Sequence, residues 1–236
     1  MYNYNYLQDV LFPKYPDKIM LIVVLGCFVC AVIGYLIGSV NFSIIISRIF
    51  YKDDIRTHGS GNAGSTNMLR THGTVPGLLT FGGDLLKTAF AVFAGALIYN
   101  LIGAYFAGFF CIIGHIFPLY FHFKGGKGVA TVAMVIALTN IRTFIVCLII
   151  FLVIVIFTKY VSLGSIVAVM VYPIVLYNIL NLFGANGYEY IGVIFAFLIA
   201  VIVVIKHRTN IKKIFNHTES KISFTKHGTD KEEPKK

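Results

Sequence analysis

Long apolar runs divided by a few short polar blocks constrain this chain more than anything else in it. Runs cover about Ile19–Ile49, Val75–Tyr99, Leu101–Phe121, Val129–Thr158, Val161–Phe183 and Tyr188–Ile205. Most are near or above the roughly 20 residues that cross a bilayer as a helix. Backbone N–H and C=O groups in lipid must pair within their own segment, so such runs fold as helices. The run from Val129 is interrupted at Asn140–Ile141–Arg142. One helix through it would bury Arg142 at mid-membrane, an apparent cost of about 3 kcal/mol or more. Two helices with a turn at 140–143 avoid that cost. The expected fold is therefore an all-α integral membrane protein of seven transmembrane helices. Residues 1–18 form a short leader, poorly ordered or interfacial, residues 19–215 the seven-span domain, and 216–236 a polar tail with a disordered end. The first run is too long for a secretory signal and is read as a retained anchor. A polar interruption, Gly38–Ser39–Val40–Asn41, lies within it.

The composition agrees with a membrane protein. Of 236 residues 57% are hydrophobic and only 13% charged, where soluble domains average about 25% charged. Net charge is +10, and nearly half of the 20 Lys and Arg lie from Lys206 onward. A basic end beside an apolar span reads as cytoplasmic. No nucleic-acid-binding module accompanies it, so no nucleic-acid partner is expected. Seven spans then place the N-terminus outside and the C-terminus in the cytoplasm. The same parity brings loop 50–74, the segment 121–129, the turn at Lys159 and the tail to the cytoplasmic face. The four cysteines, Cys27, Cys30, Cys111 and Cys147, all sit inside apolar runs. No disulfide, metal site or cofactor is expected from them.

Four polar blocks carry the candidate chemistry. In His58–Arg70, HGSGNAGSTNMLR, small donors such as Ser60, Asn62 and Asn67 alternate with glycines, and Arg70 closes the block. Such donors suit oxyanions; the bland alternative is an ordinary Gly/Ser/Asn loop. Phe123–Thr131, FKGGKGVAT, offers Gly125, Gly126 and Lys127 before a helix start. Glycine amides can form a concave anion nest, and a lysine adds a mobile cation; a tight turn with interfacial lysines is the alternative. Phe121 and Gly128 stand where a Walker A loop needs Gly and Ser or Thr, which excludes that motif. Ser162 and Ser165 share a face at a helix start, as phosphate donors or as caps. Lys206–Ile211, KHRTNI, packs His207 and Asn210 into one turn that is also a snorkelling helix end. Asp84 and Lys87, three residues apart inside a span, are expected to pair as a structural support of the site, and His115, near the inner end of a span, to be an interfacial or helix-capping group in a structural role. The blocks together describe a site rich in oxyanion donors and poor in acids.

In order and spacing, HGSGNAGSTNMLR, GHIFPLYFHFKGGKGVAT, KYVSLGS and KHRTNI resemble the membrane-bound bacterial glycerol-3-phosphate acyltransferases that use acyl phosphate, the PlsY type. The resemblance runs from about Gly38 to Glu219. It implies a seven-span enzyme of the bacterial inner membrane, a monomer whose active site faces the cytoplasm. Its reaction would move a fatty acyl group from acyl phosphate to the 1-hydroxyl of glycerol 3-phosphate, giving lysophosphatidic acid and phosphate. By the same resemblance Ser60 and Arg70 are the essential pair of the first block. Gly125, Gly126 and Lys127 bind glycerol phosphate, Ser162 or Ser165 binds phosphate, and His207 and Asn210 belong to the last motif. The base is His207 or a substrate phosphate oxygen. Membrane lipid supplies the acyl chain's surroundings. Two positions depart from the family pattern: Asn41 replaces a proline, and His217 replaces the glycine before Thr218–Glu219. A membrane transporter for a phosphate ester or other small anion would use the same cations, but no inverted repeat is visible.

Overall fold

The computed structural model describes residues 6–184 and 187–222, and among these every regular element is helical. Part of the turn at 184–187 and the tail beyond 222, with its expected disordered end, lie outside the described residues. The helices are α1 Ile19–Gly38, α2 Phe42–Ile46, α3 Ser65–His72, α4 Thr74–Ile116, α5 Val129–Thr139, α6 Ile141–Thr158, α7 Val161–Leu182, α8 Ile191–Lys206 and α9 Arg208–Phe215. The leader is helical in short turns from Leu7 to Lys18. Leu7 is buried against Gly26, and the Phe12 ring meets Tyr99 edge-on at 6.2 Å.

The apolar run expected over 19–49 is not one helix. α1 stops at Gly38, and α2 starts after an extended Asn41 whose side chain accepts from the Ile44 amide at 3.2 Å. Asn41 also accepts from the Ser43 hydroxyl at 2.7 Å. The asparagine that replaces a proline here is therefore a helix cap.

α4 is a hairpin in one stretch of helix. Tyr99 and Asn100 leave helical geometry (Asn100 φ 47°), and the chain reverses. Thr88 then faces Cys111 at 3.9 Å, Lys87 faces His115 at 2.9 Å, and Gly95 meets Gly103 backbone to backbone. The two legs match the runs expected at 75–99 and 101–121. α1 lies on the second leg with a small residue at every fourth position, Cys30, Gly34 and Gly38. A Cβ at Gly34 would enter the backbone of Ala107, and one at Gly38 that of Cys111. Such stripes let helix backbones approach where lipid supplies no hydrophobic drive.

α5 and α6 are separated by Asn140 alone, which caps α6 by accepting from the Thr143 amide at 3.0 Å. The break holds Arg142 at the helix end, exposed and 4.1 Å from the centre of the Phe183 ring. At eleven residues α5 spans about 16 Å, well under the roughly 30 Å hydrocarbon core. α8 bends by 58° at His207 into α9. Among the described residues four stretches are long and apolar enough to cross a membrane: Pro16–Tyr51, Thr74–Phe121, Ile141–Thr158 and Val161–Leu182. The pair α8–α9 passes the same test only when its two bent halves are taken together. One core joins α4 through α8, with Ile112, Ile116, Val135, Tyr172, Leu176 and Ile199 buried at its centre. The four cysteines are free thiols.

Candidate active site

The glycine-lysine segment is a buttressed turn. The Gly125 amide donates to Ile116 O at 3.2 Å and the Gly126 amide to His115 O at 3.1 Å. A Cβ at Gly125 would strike the His115 carbonyl and Pro118, and one at Gly126 the His115 ring and the Ala63 carbonyl. The expected nest of glycine amides is thus corrected: these N–H groups are bonded within the chain, and neither glycine lines the site cavity. The pair serves close packing and leaves Lys127 at the edge of the cavity. Beneath the turn lies a buried polar cluster. Lys87 Nζ pairs with Asp84 at 2.8 Å, donates to Val40 O at 2.6 Å and meets His115 Nδ1 at 2.9 Å. All three side chains are buried, so the cluster ties the break after α1 and both legs of α4 to the turn.

The Ser60 block is stitched by Asn67. Its amide oxygen accepts from Ser60 N at 2.9 Å, and its NH2 donates to Ile55 O and His58 O at 3.1 and 3.0 Å. Asn67 thereby ties Ser60 to the Ile55–His58 stretch of the loop. α3 begins at Ser65 without a side-chain cap, and Gly64, Ser65 and Thr66 line the cavity, so the positive end of the helix faces it. Arg56, unnoticed in the sequence, anchors the loop to the lysine turn by donating to Phe121 O and Lys124 O at 3.0 and 3.1 Å. Asp54 orients it at 2.7 Å, and the Arg56 guanidinium holds the Asp54 carboxyl well below the usual carboxylate range.

These pieces meet in one cavity of about 510 Å³. Its polar end is lined by Ser60, Asn62, Arg70, Lys127, Ser162, Ser165, His207 and Asn210, with Asp84 and His115 behind them. Lys127 Nζ donates to Asn210 Oδ1 at 2.5 Å. Burial lowers the Lys127 ammonium to about 8; Glu219 opposes the shift, while Arg70, Lys213 and Lys206 add to it. Ser162 and Ser165 separate in role: Ser162 Oγ donates to Glu219 at 2.7 Å, whereas Ser165 Oγ bonds back to Val161 O at 2.8 Å. His207 Nδ1 lies 2.8 Å from Val203 O, an acceptor only, so Nδ1 carries the proton and Nε2 the lone pair. Burial lowers the imidazole to about 4, which keeps it neutral near pH 7. The other end of the cavity is apolar, lined by Val129, Ala133, Ala137, Phe144, Leu148 and Phe151 among others. Among the described residues no three His, Cys, Asp or Glu gather as a metal site.

Glu219 is the site residue that sequence reasoning missed. Its carboxylate accepts from Ser162 Oγ and from Asn210 Nδ2 at 2.8 Å, in the midst of the cationic wall. Beside it Arg70 donates to Ser220 O at 3.4 Å, and Ile222 N donates to Lys159 O at 2.9 Å. The available signal was one acid at the family's Thr–Glu position in a strongly basic end.

The glycerol-3-phosphate acyltransferase family model matches residues 28–217. The chain belongs to the glycerol-3-phosphate acyltransferase family. Curated members bearing that name are 39% identical in Finegoldia magna, over 82% of this chain and 95% of the relative. The relative in Clostridioides difficile is 40% identical over 84% and 96%. Among solved structures, the glycerol 3-phosphate form of PlsY, an integral membrane glycerol 3-phosphate acyltransferase, superposes with a TM-score of 0.74 at 28% identity. That match covers 84% of this chain and 96% of PlsY. The lysophosphatidic acid form gives 0.72. This glycerol-3-phosphate acyltransferase family member is thus a membrane acyltransferase of lipid biosynthesis, and the transporter reading is set aside.

Proposed function

We propose that this enzyme transfers a fatty acyl group from acyl phosphate to the 1-hydroxyl of glycerol 3-phosphate, releasing lysophosphatidic acid and phosphate. The observation that carries this reading is the two-ended cavity, with Arg70, Lys127, Ser162 and Asn210 at one end and an apolar groove at the other. An amphiphile with an anionic head fits both ends, and a second small anion fits beside its head. The PlsY forms hold glycerol 3-phosphate and lysophosphatidic acid, one substrate and the product of this reaction.

In this mechanism Lys127 and Arg70 offset the repulsion between two phosphates brought together. The glycerol hydroxyl oxygen attacks the acyl carbon, Ser60 donates to the oxyanion that develops, and the acyl–oxygen bond to phosphate breaks. His207 Nε2 takes the hydroxyl proton, a task its neutral form and fixed tautomer suit. Asp84, Lys87 and His115 hold the lysine turn from below. Asn62 lines the polar end, and Gly125 and Gly126 act by letting the turn close.

Seven crossings complete the proposal, with α2 continuing the first, the legs of α4 as the second and third, and α5 to α8 as the rest. The N-terminus lies outside, and the tail and active site face the cytoplasm of a bacterial inner membrane. The contacts among loop 55–70, the lysine turn, Lys159 and the tail support placing them on one face. The enzyme works as a monomer, with lipid around the groove and no cofactor.

Purified protein in detergent, given palmitoyl phosphate and glycerol 3-phosphate, should form lysophosphatidic acid and phosphate one for one. No product, or equal turnover from palmitoyl-CoA, would refute the donor assignment. His207→Ala should lower kcat by about 10²–10⁴ with KM little changed; a retained kcat would hand the proton to a substrate phosphate.

A further inference from the structure

α9 has a face that the active site does not use. Arg208, Ile211, Lys212 and Phe215 recur at i, i+3, i+4 and i+7, so they share one side of the helix. Arg208, Lys212 and Phe215 are exposed, Phe215 at 79%. Asn210 and Lys213 lie on the opposite side, and Asn210 meets Lys127 and Glu219 there. Among the described residues no carboxylate pairs with Arg208 or Lys212. Glu219, the acid nearest in sequence, turns inward to Ser162. The 58° bend at His207 swings α9 away from the axis of the apolar helix α8 directly after its end. The turn comes where the apolar run ends and the basic residues begin, so α9 does not continue the line of α8.

We propose that this face of α9 docks on the anionic lipid surface of the membrane. Phe215 and Ile211 enter the boundary with the acyl chains, while Arg208 and Lys212 meet phosphate headgroups. Docking on one side of the helix sets Asn210 on the other side against Lys127. The charge of the surrounding lipid thereby acts on the acyl-transfer site, a coupling that rests on the function proposed above. The docking itself does not depend on it.

The chain has no tryptophan, so Phe215→Trp in the full-length protein gives a single fluorescent probe outside the site. In vesicles of brominated phosphatidylcholine containing phosphatidylglycerol, the indole emission of this variant should shift to the blue and be quenched. Without phosphatidylglycerol both effects should weaken. Adding Arg208→Gln and Lys212→Gln should lower docking on the anionic vesicles by roughly tenfold or more. Water-like, unquenched emission on anionic vesicles would overturn the docking. Quenching that ignores phosphatidylglycerol would overturn the role of the two cations. In vesicles of the same two compositions, turnover by the chain with Phe215 intact should rise severalfold with phosphatidylglycerol and stay flat in R208Q/K212Q. A rise that survives the two substitutions would overturn the link to Asn210 and leave the proposed reaction standing.

Discussion

At the scale of single residues, the site turns on a lysine whose charge is only just maintained. Burial brings Lys127 to about 8, and Glu219 is the influence that raises it against Arg70, Lys213 and Lys206. A lysine is charged below its pKa, so capture of an anion should weaken as pH rises through about 8. Glu219→Gln removes the supporting charge and lowers the Lys127 pKa further. The alkaline limb of log kcat/KM for glycerol 3-phosphate should therefore begin at a lower pH in that variant. A limb that stays or moves upward would show that Glu219 does not act on Lys127. The sequence made Lys127, Arg70 and Ser60 readable because they lie in dense, distinctive blocks. Glu219 was unreadable because its position depends on the turn that follows α9. There Thr218 N donates to Lys213 O at 2.8 Å and His217 N to Ile214 O at 3.1 Å, with His217 in the left-handed region at φ 55°. This is a glycine-type helix ending without its glycine, and it is what turns Glu219 back into the cavity.

At the scale of elements, the breaks were more legible than the contacts. Asn140 before Arg142 marked the end of α5 because burying arginine in lipid is costly, and the reversal at Tyr99–Asn100 fell between two apolar runs of spanning length. The roles of Gly125 and Gly126 were not legible. An open phosphate nest and a turn packed against His115 call for the same small residues, and only the acceptors His115 O and Ile116 O distinguish them. The docking of α1 on α4 makes a sharper claim about glycine. Gly34 leaves no room for a side chain beside the Ala107 backbone, which cannot move without displacing the leg that carries Cys111 and His115. Gly34→Val should destabilise the protein in detergent by about 1–3 kcal/mol, read as a lower Tm. An unchanged Tm would mean that α1 is free to shift away.

At the scale of the whole molecule, four polar blocks far apart in sequence meet at one end of an apolar bundle, and the topology proposed for it can be read directly. Ile141→Cys, exposed at the start of α6, should react with a membrane-impermeant maleimide only from outside the cell. Lys221→Cys, beside the site, should react only from the cytoplasmic side. Labelling of both from one side would break the seven-crossing arrangement. In the proposed reaction this end of the bundle captures the glycerol phosphate through Lys127 and the partners gathered around it. Binding of radiolabelled glycerol 3-phosphate to the purified protein, at pH 7 and at pH 9, tests it most directly. Binding should weaken several-fold to about tenfold from pH 7 to pH 9, and in Lys127→Ala it should be weak at both. Equal affinity in the two proteins, unaffected by pH, would contradict it.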